Sequence, residues 1–312
     1  MNSKGFARRE FLGTVAGGAA AVLMSADARE KPPLAQADSS PAVRVPLKIG
    51  HRASNMGMLG NFDVMRVARQ IPGLMGVELQ VSEGQPNLRD LDVVRRYKQE
   101  ANRWGMMIPS VAGVWNPGVT FTSPEARSNL RQAIRAGELL GARGVLVTAL
   151  AKNCPDMSKE ESFGPVIEVL TDVARDAADA GVVLAVEPCI NPEDSRKLVD
   201  LIGHPNVRIY YDVYNAVLYG FGQEAIPGIR LLGKSRIYQV HVKNFDGMNE
   251  RQTRLIEETG LLDWKAALEA LNVIGYDGWF VFETGHPEHA QMLRDAARNI
   301  AFLEKHCQMP LA

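Results

Sequence analysis

The sequence has little cysteine and almost no net charge, and each shortage excludes a class of protein. Three cysteines among 312 residues, Cys154, Cys189 and Cys307, are too few and too scattered for a disulfide framework. We therefore expect them to be small buried apolar side chains. Lys and Arg total 35 against 36 Asp and Glu, which leaves a formal charge of -1. No overall basic field exists to bind nucleic acid or anionic lipid.

Long apolar runs are also scarce. The apolar stretch at residues 11–24 follows a basic start and leads to an A-x-A-like cleavage site ending at Ala28. This order predicts a secretory signal peptide over residues 1–28, and its "RREFLG" segment resembles the twin-arginine export signal. A membrane anchor is the alternative, but the stretch is short and rich in Gly and Ala. Residues 29–45 are predicted to be a flexible linker, and 46–312 a folded domain in the periplasm or outside the cell.

Short β-branched runs alternate with amphipathic stretches through the rest of the chain, which is typical of βα units around a parallel sheet. Eight such units in about 265 residues favour a single (β/α)8 TIM barrel over an open, doubly wound sheet. The predicted strands are 47–51, 75–80, 106–111, 144–149, 182–187, 207–212, 237–242 and 279–283. The clearest helical stretches are 88–105, 123–141, 164–181 and 263–275, and the last three end at Gly141, Gly181 and Gly275.

Four of these strands end in a residue type that binds metals: Glu187, Asp212, His241 and Glu283. Active sites of TIM barrels lie at the carboxyl ends of the strands, so these side chains are predicted to converge at the barrel mouth. For each residue alone, a helix cap or a satisfied core residue is the alternative. Three carboxylates and an imidazole, without a thiolate, favour Mn²⁺ over a structural zinc, with Mg²⁺ and Co²⁺ as alternatives.

Such a site suits a particular reaction. A metal that binds neighbouring hydroxyl and carbonyl oxygens of a sugar acidifies the hydrogen on the carbinol carbon, because it stabilises the developing enediolate. Glu187 and Glu283 come from different strands. They are therefore predicted to serve as catalytic base and acid.

These four residues stand in the motifs "VEP", "YYDVYN", "VHVKN" and "FET". In this order they resemble the metal ligands of the xylose isomerase-like TIM barrels, particularly the sugar phosphate isomerase/epimerase family. That family includes ketose 3-epimerases and hydroxypyruvate isomerases, and the resemblance covers residues 46–306. It implies that the four residues bind one divalent metal, and that the chain isomerises or epimerises a small carbohydrate.

The resemblance also implies contacts with the substrate. Glu193 stands six positions after Glu187, where the 3-epimerases carry a substrate-binding Glu, although a solvated helix N-terminus is the alternative. Lys243 matches the Lys of a family "HxKD" pattern and either binds a substrate oxygen or stays at the rim. Two positions depart from the epimerases, which usually have His at Asn215 and Arg at Gly247. These departures leave free-ketose 3-epimerisation in doubt.

Two further residues are candidate substrate contacts because they lie at or just past the ends of predicted strands. His51, at the end of the first predicted strand, is a candidate substrate contact. Trp115, just past the third strand, is a candidate for stacking on a sugar face, with simple packing as the alternative.

Three other functions compete with an isomerase. A lyase or dehydratase acting on a keto-sugar or 3-keto-glycoside shares the first proton abstraction but then expels a leaving group. A non-catalytic sugar-binding barrel is less consistent with a complete set of acids. The superfamily's AP endonucleases use more histidine ligands and a basic DNA-facing surface, whereas this chain has six histidines and no basic excess. Barrels of this kind often dimerise, so a homo-oligomer is an open alternative.

Overall fold

The computed structural model describes residues 47–245, 255–257 and 260–307, and within them eight parallel strands form a closed barrel. Each strand pairs with the next along the chain, and the last pairs with the first. The predicted (β/α)8 TIM barrel is confirmed. The strands are β1 (Lys48–Arg52), β2 (Gly76–Gln80), β3 (Ser110–Ala112), β4 (Gly144–Ala149), β5 (Val183–Pro188), β6 (Val207–Asp212), β7 (Ile237–Val242) and β8 (Trp279–Phe282). Strand β3 is shorter than predicted and begins after Pro109, which has no N–H to donate to a ladder.

Helices alternate with these strands and bury their apolar faces. Among the described residues, none of them combines the length and apolarity that a membrane crossing requires. The helices are α1 (Val64–Ala68), α2 (Leu91–Trp104), α3 (Ala126–Leu140), α4 (Glu160–Asp179), α5 (Pro192–Ile202), α6 (Val213–Leu218), α7 (Gly222–Arg236), α8 (Trp264–Val273) and α9 (His289–His306). A short 3₁₀ turn (Ala151–Asn153) follows β4.

Local sequence signals set several helix ends. Gly141, Gly181 and Gly275 all adopt positive φ, between 66° and 75°, just past α3, α4 and α8, as predicted. The Asp263 carboxylate caps α8 by accepting hydrogen bonds from two backbone N–H groups of its first turn, at 3.0 and 3.2 Å. Helix α4 begins at Glu160, earlier than predicted, and two glutamates in its first turn favour that helix N-terminus.

The barrel interior places the candidate site above an apolar layer. Five fully buried side chains from different strands pack together in the lumen: Ala112, Leu146, Ala185, Tyr210 and Val281. Residues two positions apart on a strand share a face. Glu187 on β5 and Asp212 on β6 lie two positions past Ala185 and Tyr210, so they also face the lumen, nearer the mouth. Glu283 lies two positions past Val281, just after β8, and continues the same face.

Two of the three cysteines are bonded, so the expectation of isolated apolar cysteines was wrong for this pair. Cys154 follows the 3₁₀ turn after β4 and Cys189 follows β5, and they form a disulfide with Cα atoms 5.7 Å apart. Strands β4 and β5 are neighbours in the sheet, which brings the loops that follow them together. Cys307 is a buried free cysteine, as predicted.

The disulfide is expected to contribute about 3–4 kcal/mol to the free energy of unfolding, because it closes a loop of 35 residues in the unfolded chain. Replacing Cys154 and Cys189 together by Ala should remove this contribution in chemical denaturation. The reductant TCEP should lower the stability of the unmodified protein to that of the double variant. The Cys307→Ala variant is the control, and TCEP should still lower its free energy of unfolding because it keeps the disulfide. Equal stability of the oxidised protein and the double variant would contradict the prediction.

Candidate metal centre

Three of the predicted metal ligands meet at the carboxyl ends of neighbouring strands. Glu187 lies in β5, Asp212 ends β6 and His241 lies in β7. All three are buried, and one ligand atom from each lies within 4.8 Å of the other two. His241 Nδ1 is 2.9 Å from Glu187 Oε1 and 3.7 Å from Asp212 Oδ2. The three side chains therefore present their donor atoms to one small volume.

Glu283 joins this group from the last strand. It directly follows β8, and its Oε2 lies 3.8 Å from His241 Nδ1. Its side chain is 16% exposed, whereas that of His241 is fully buried. The structure thus brings together all four residues that the sequence selected, with Glu283 on the solvent side.

Two positively charged side chains, Lys243 and Arg52, lie between these carboxylates. Lys243 Nζ lies 2.6 Å from Asp212 Oδ2 and 2.7 Å from Glu283 Oε2. Arg52 pairs with Glu283 through Nη1 and with Glu78 Oε1 through Nε, the latter at 3.1 Å. Lys243 was selected from the sequence, but Arg52 was not. The guanidinium is an additional group at the mouth that can bind an oxygen of a substrate.

The direction of side chains on β1 explains why Arg52, and not His51, reaches the cluster. Arg52 is in register with Glu78 of β2, on the lumen face, whereas His51 is in register with Phe282 and lies 6.0 Å from its ring. His51 Nδ1 contacts the carbonyl of Arg52 at 3.1 Å, and burial lowers the pKa of His51 to about 4. The structure therefore leaves His51 outside the cluster, as a neutral core residue.

Glu78 is a further carboxylate of the site that the sequence interpretation missed. It lies in β2 with no exposed surface, inside the apolar run "MGVELQ". Its Oε2 accepts hydrogen bonds from Ser110 Oγ at 2.6 Å and from Tyr210 OH at 3.0 Å. Gln239 Nε2 donates to these same two hydroxyls, at 2.8 and 3.2 Å. The signal available in the sequence was a charged residue within a buried strand, which must have partners.

Burial and neighbouring charges set the protonation of the ligands. Burial raises the pKa of Asp212 to about 6, although the ammonium of Lys243 opposes this rise. Burial also disfavours ionised Glu283, but His241 and Lys243 hold the pKa of this carboxyl well below its usual range. Burial would lower the pKa of His241, yet the charges of Glu283 and Glu187 raise it to about 10. A cation bound among these groups would have to displace a proton from the imidazole.

The residues present fit a divalent metal ion. Four carboxylates, from Glu78, Glu187, Asp212 and Glu283, stand against two permanent cations, Arg52 and Lys243. With neutral His241 the site carries two excess negative charges, which a divalent ion would balance. Carboxylate oxygens and one imidazole are the donors that Mn²⁺, Mg²⁺ and Co²⁺ accept.

The other predicted substrate residues lie at different distances from this cluster. Asn215 is buried, and its Nδ2 donates to Glu187 Oε1 at 3.2 Å. Trp115 is half-buried and donates from Nε1 to the carbonyl of Thr148 at 2.9 Å, and Thr148 is in register with Glu187. Glu193 is exposed on the first turn of α5 and pairs with Arg196 of the same helix. Gly247 lies outside the described residues.

Comparison with known proteins identifies a family and a group of solved structures that share the fold. A model of the xylose isomerase-like TIM barrel matches residues 65–306. Among curated proteins, no sequence matches the chain significantly.

Solved structures with the same fold have low sequence identity to this chain. A xylose isomerase domain protein from Planctomyces limnophilus is 19% identical with a TM-score of 0.68, covering 84% of this chain and 97% of that one. D-allulose 3-epimerase from Methylomonas sp., in complex with D-allulose, is 17% identical with a TM-score of 0.67 over the same shares of the two chains. An IOLI protein with a bound zinc atom is 15% identical with a TM-score of 0.65, over 84% and 100%.

Proposed function

Because the chain belongs to the xylose isomerase-like TIM barrel family, we propose that it is a divalent-metal-dependent isomerase or epimerase acting on a carbohydrate. The observation that carries this proposal is the buried group of Glu187, Asp212 and His241, with Glu283 beside it, at the mouth of the barrel. The Methylomonas structure contains D-allulose, which supports a small carbohydrate as the substrate class.

These four residues would hold one divalent ion, and Mn²⁺ is the first choice for a carboxylate-rich set. When bound, the ion supplies Lewis acidity to neighbouring hydroxyl and carbonyl oxygens of the sugar. The zinc atom in the IOLI structure supports a metal in a protein of this fold, and Mn²⁺ for this chain rests on the donor set alone.

The two glutamates transfer the proton. Glu283 is held ionised by Lys243 and Arg52, so it is suited to accept the proton from the carbinol carbon and leave an enediolate. Glu187, on β5, would take a proton from solvent and donate it to the substrate carbon, while Glu283 releases the abstracted proton to solvent. If the proton is added to the neighbouring carbon of the enediolate, the product is an isomer. If it is added to the other face of the original carbon, the product is an epimer.

Three of the predicted substrate residues fit this reaction. Asn215 Nδ2 orients Glu187, Lys243 Nζ is placed to bind a substrate oxygen, and Trp115 lines the mouth beside β4. Glu193 and His51 do not reach the cluster through any contact in the described residues. We therefore leave these two out of the proposed mechanism.

A lyase remains the second candidate, and Lys243 is the observation that favours it. The ammonium lies between Asp212 and Glu283, where it can donate a proton to a leaving oxygen after the first proton abstraction. The departures at Asn215 and Gly247 from the epimerase pattern also weaken a simple ketose epimerisation.

We propose in addition that the mature protein works outside the cytoplasm. The predicted twin-arginine signal and the linker lie outside the described residues. The Cys154–Cys189 disulfide supports this localisation, since structural disulfides persist mainly in oxidising compartments.

Solvent exchange tests the proposed activity. The mature chain loaded with Mn²⁺ is incubated in D₂O with a panel of ketoses and 3-keto-glycosides, and deuterium incorporation is followed by NMR. We expect deuterium in a rearranged sugar, and no exchange after the metal is removed with EDTA. Release of water or an aglycone would identify the lyase instead. Metal binding without exchange on any compound would contradict both enzymes and favour a sugar-binding barrel.

A further inference from the structure

We infer that Glu78 is a positioning residue that orients His241 toward the metal. The inference rests on the proposed function, because it concerns how His241 binds an ion. No motif that selected the metal ligands includes Glu78, which comes from β2, on a strand distant along the sheet from β7.

The two nitrogens of His241 face different groups. Nδ1 lies 2.9 Å from Glu187 Oε1 and within 4 Å of Asp212 and Glu283, on the side of the candidate metal position. Nε2 points away from these ligands and lies 3.6 Å from Glu78 Oε1. An imidazole binds a metal through a nitrogen that carries no proton, so the other nitrogen must carry the hydrogen.

The two atoms separated by this 3.6 Å distance, His241 Nε2 and Glu78 Oε1, do not have, among the described residues, all the hydrogen bonds that they can form. His241 Nε2 and Glu78 Oε1 are both buried and lack a hydrogen bond in the described part of the chain, although Oε1 has an ion pair with Arg52. One is a donor and the other an acceptor, and a movement of about half an ångström would bring them to hydrogen-bond distance. A hydrogen bond from Nε2–H to Glu78 would fix the tautomer in which Nδ1 is free to bind the metal.

The surroundings hold Glu78 in place for this role. Ser110 Oγ and Tyr210 OH donate to its Oε2 and leave Oε1 directed at Arg52 and His241. The ring of Tyr210 also packs against the imidazole, with centroids 4.2 Å apart. Neighbours that support a metal-binding histidine in this manner typically change metal affinity by 10–100-fold when they are removed.

Glu78→Gln tests the inference, because glutamine keeps the shape of the side chain but removes the anionic acceptor. The amide group can donate to His241 Nε2, which favours the tautomer with hydrogen on Nδ1, facing the metal. We expect Mn²⁺ affinity, measured by calorimetry, to fall 10–100-fold. In zinc-loaded, ¹⁵N-histidine-labelled protein, the unmodified chain should show a His241 signal of the Nε2–H tautomer, assigned by its loss in His241→Asn.

Two further variants separate positioning from a purely structural role. Tyr210→Phe keeps the ring but removes one of the two hydrogen bonds to Glu78 Oε2, and it should lower Mn²⁺ affinity less than Glu78→Gln, because Ser110 still holds the carboxylate. Glu78→Asp keeps a carboxylate and should retain the Nε2–H tautomer, with intermediate affinity. If Glu78→Gln lowers the melting temperature but leaves the Mn²⁺ affinity unchanged, Glu78 only balances Arg52 and the inference is overturned.

The same measurements keep this inference distinct from the proposed function. Failure of the unmodified protein to bind Mn²⁺, Co²⁺ or Zn²⁺ would overturn the proposed metal site itself, and the role of Glu78 with it. Binding by the unmodified protein with an unaltered Glu78→Gln variant would overturn the inference alone.

Discussion

Replacing Glu283 by Gln is expected to lower the rate of deuterium incorporation into the substrate by about 10²–10⁴-fold at saturating Mn²⁺. Glutamine occupies nearly the same volume but cannot accept a proton from carbon. Glu283 is the proposed base because its carboxylate lies on the solvent side of the cluster and is ionised beside Lys243 and Arg52. Glu187→Gln should give a loss of the same order, because Glu187 is the proposed donor of the proton that returns to the substrate.

The matched control is Glu193→Gln, the same substitution at a carboxylate selected from the sequence. Glu193 is exposed on α5 and pairs with Arg196, so its loss should leave the exchange rate within about twofold. A large loss in Glu193→Gln would restore this residue as a substrate contact. Mn²⁺ affinity is measured for each variant, because a rate that recovers with more metal would indicate a lost ligand instead of a lost base.

Replacing Lys243 by Met is expected to lower the free energy of unfolding of the metal-free protein by about 3–5 kcal/mol. The ammonium lies within 2.7 Å of both Asp212 and Glu283, and its side chain is only 11% exposed. Removing it leaves two largely buried carboxylates without their shared cation. Saturating Mn²⁺ should restore most of the lost stability, because the ion places positive charge between the same carboxylates. The comparison uses chemical denaturation with and without Mn²⁺.

Lys234→Met is the control for the loss of a lysine ion pair. Lys234 Nζ lies 2.7 Å from Asp277, but both side chains are about half exposed, so this variant should lose less than about 1 kcal/mol with or without metal. We also expect Lys243→Met to bind Mn²⁺ more tightly than the unmodified protein, since the positive charge of the ammonium no longer opposes the ion. An equal loss of stability in the presence and absence of Mn²⁺ would show that Lys243 and the ion do not share a position.

The sequence predicted the barrel and the ligand group because both depend on local patterns. Apolar runs that end in Glu187, Asp212, His241 and Glu283 mark strand ends, and parallel strands of a barrel present those ends to one mouth. The family resemblance then connected this order to a metal.

The sequence did not predict contacts that depend on register or on neighbouring strands. Strand β1 includes Arg52, one residue past the predicted end, and because side chains alternate along the strand, Arg52 faces the lumen and His51 faces outward. Glu78 lies within an apolar run, where its partners Ser110 and Tyr210 come from other strands. The Cys154–Cys189 disulfide likewise depends on two loops meeting across β4 and β5.

The ion pair between Arg52 and Glu283 has a consequence for the order of folding. These two residues are 231 positions apart, on the first strand and just after the last, and they meet where β1 pairs with β8. The four proposed metal ligands come from the second half of the barrel, whereas Arg52 and Glu78 come from its first two strands. An intermediate with an open sheet would therefore gather the ligands without the guanidinium that holds Glu283. The proposed active site is complete only when β1 pairs with β8, so we expect the proposed activity to recover during refolding no earlier than barrel closure.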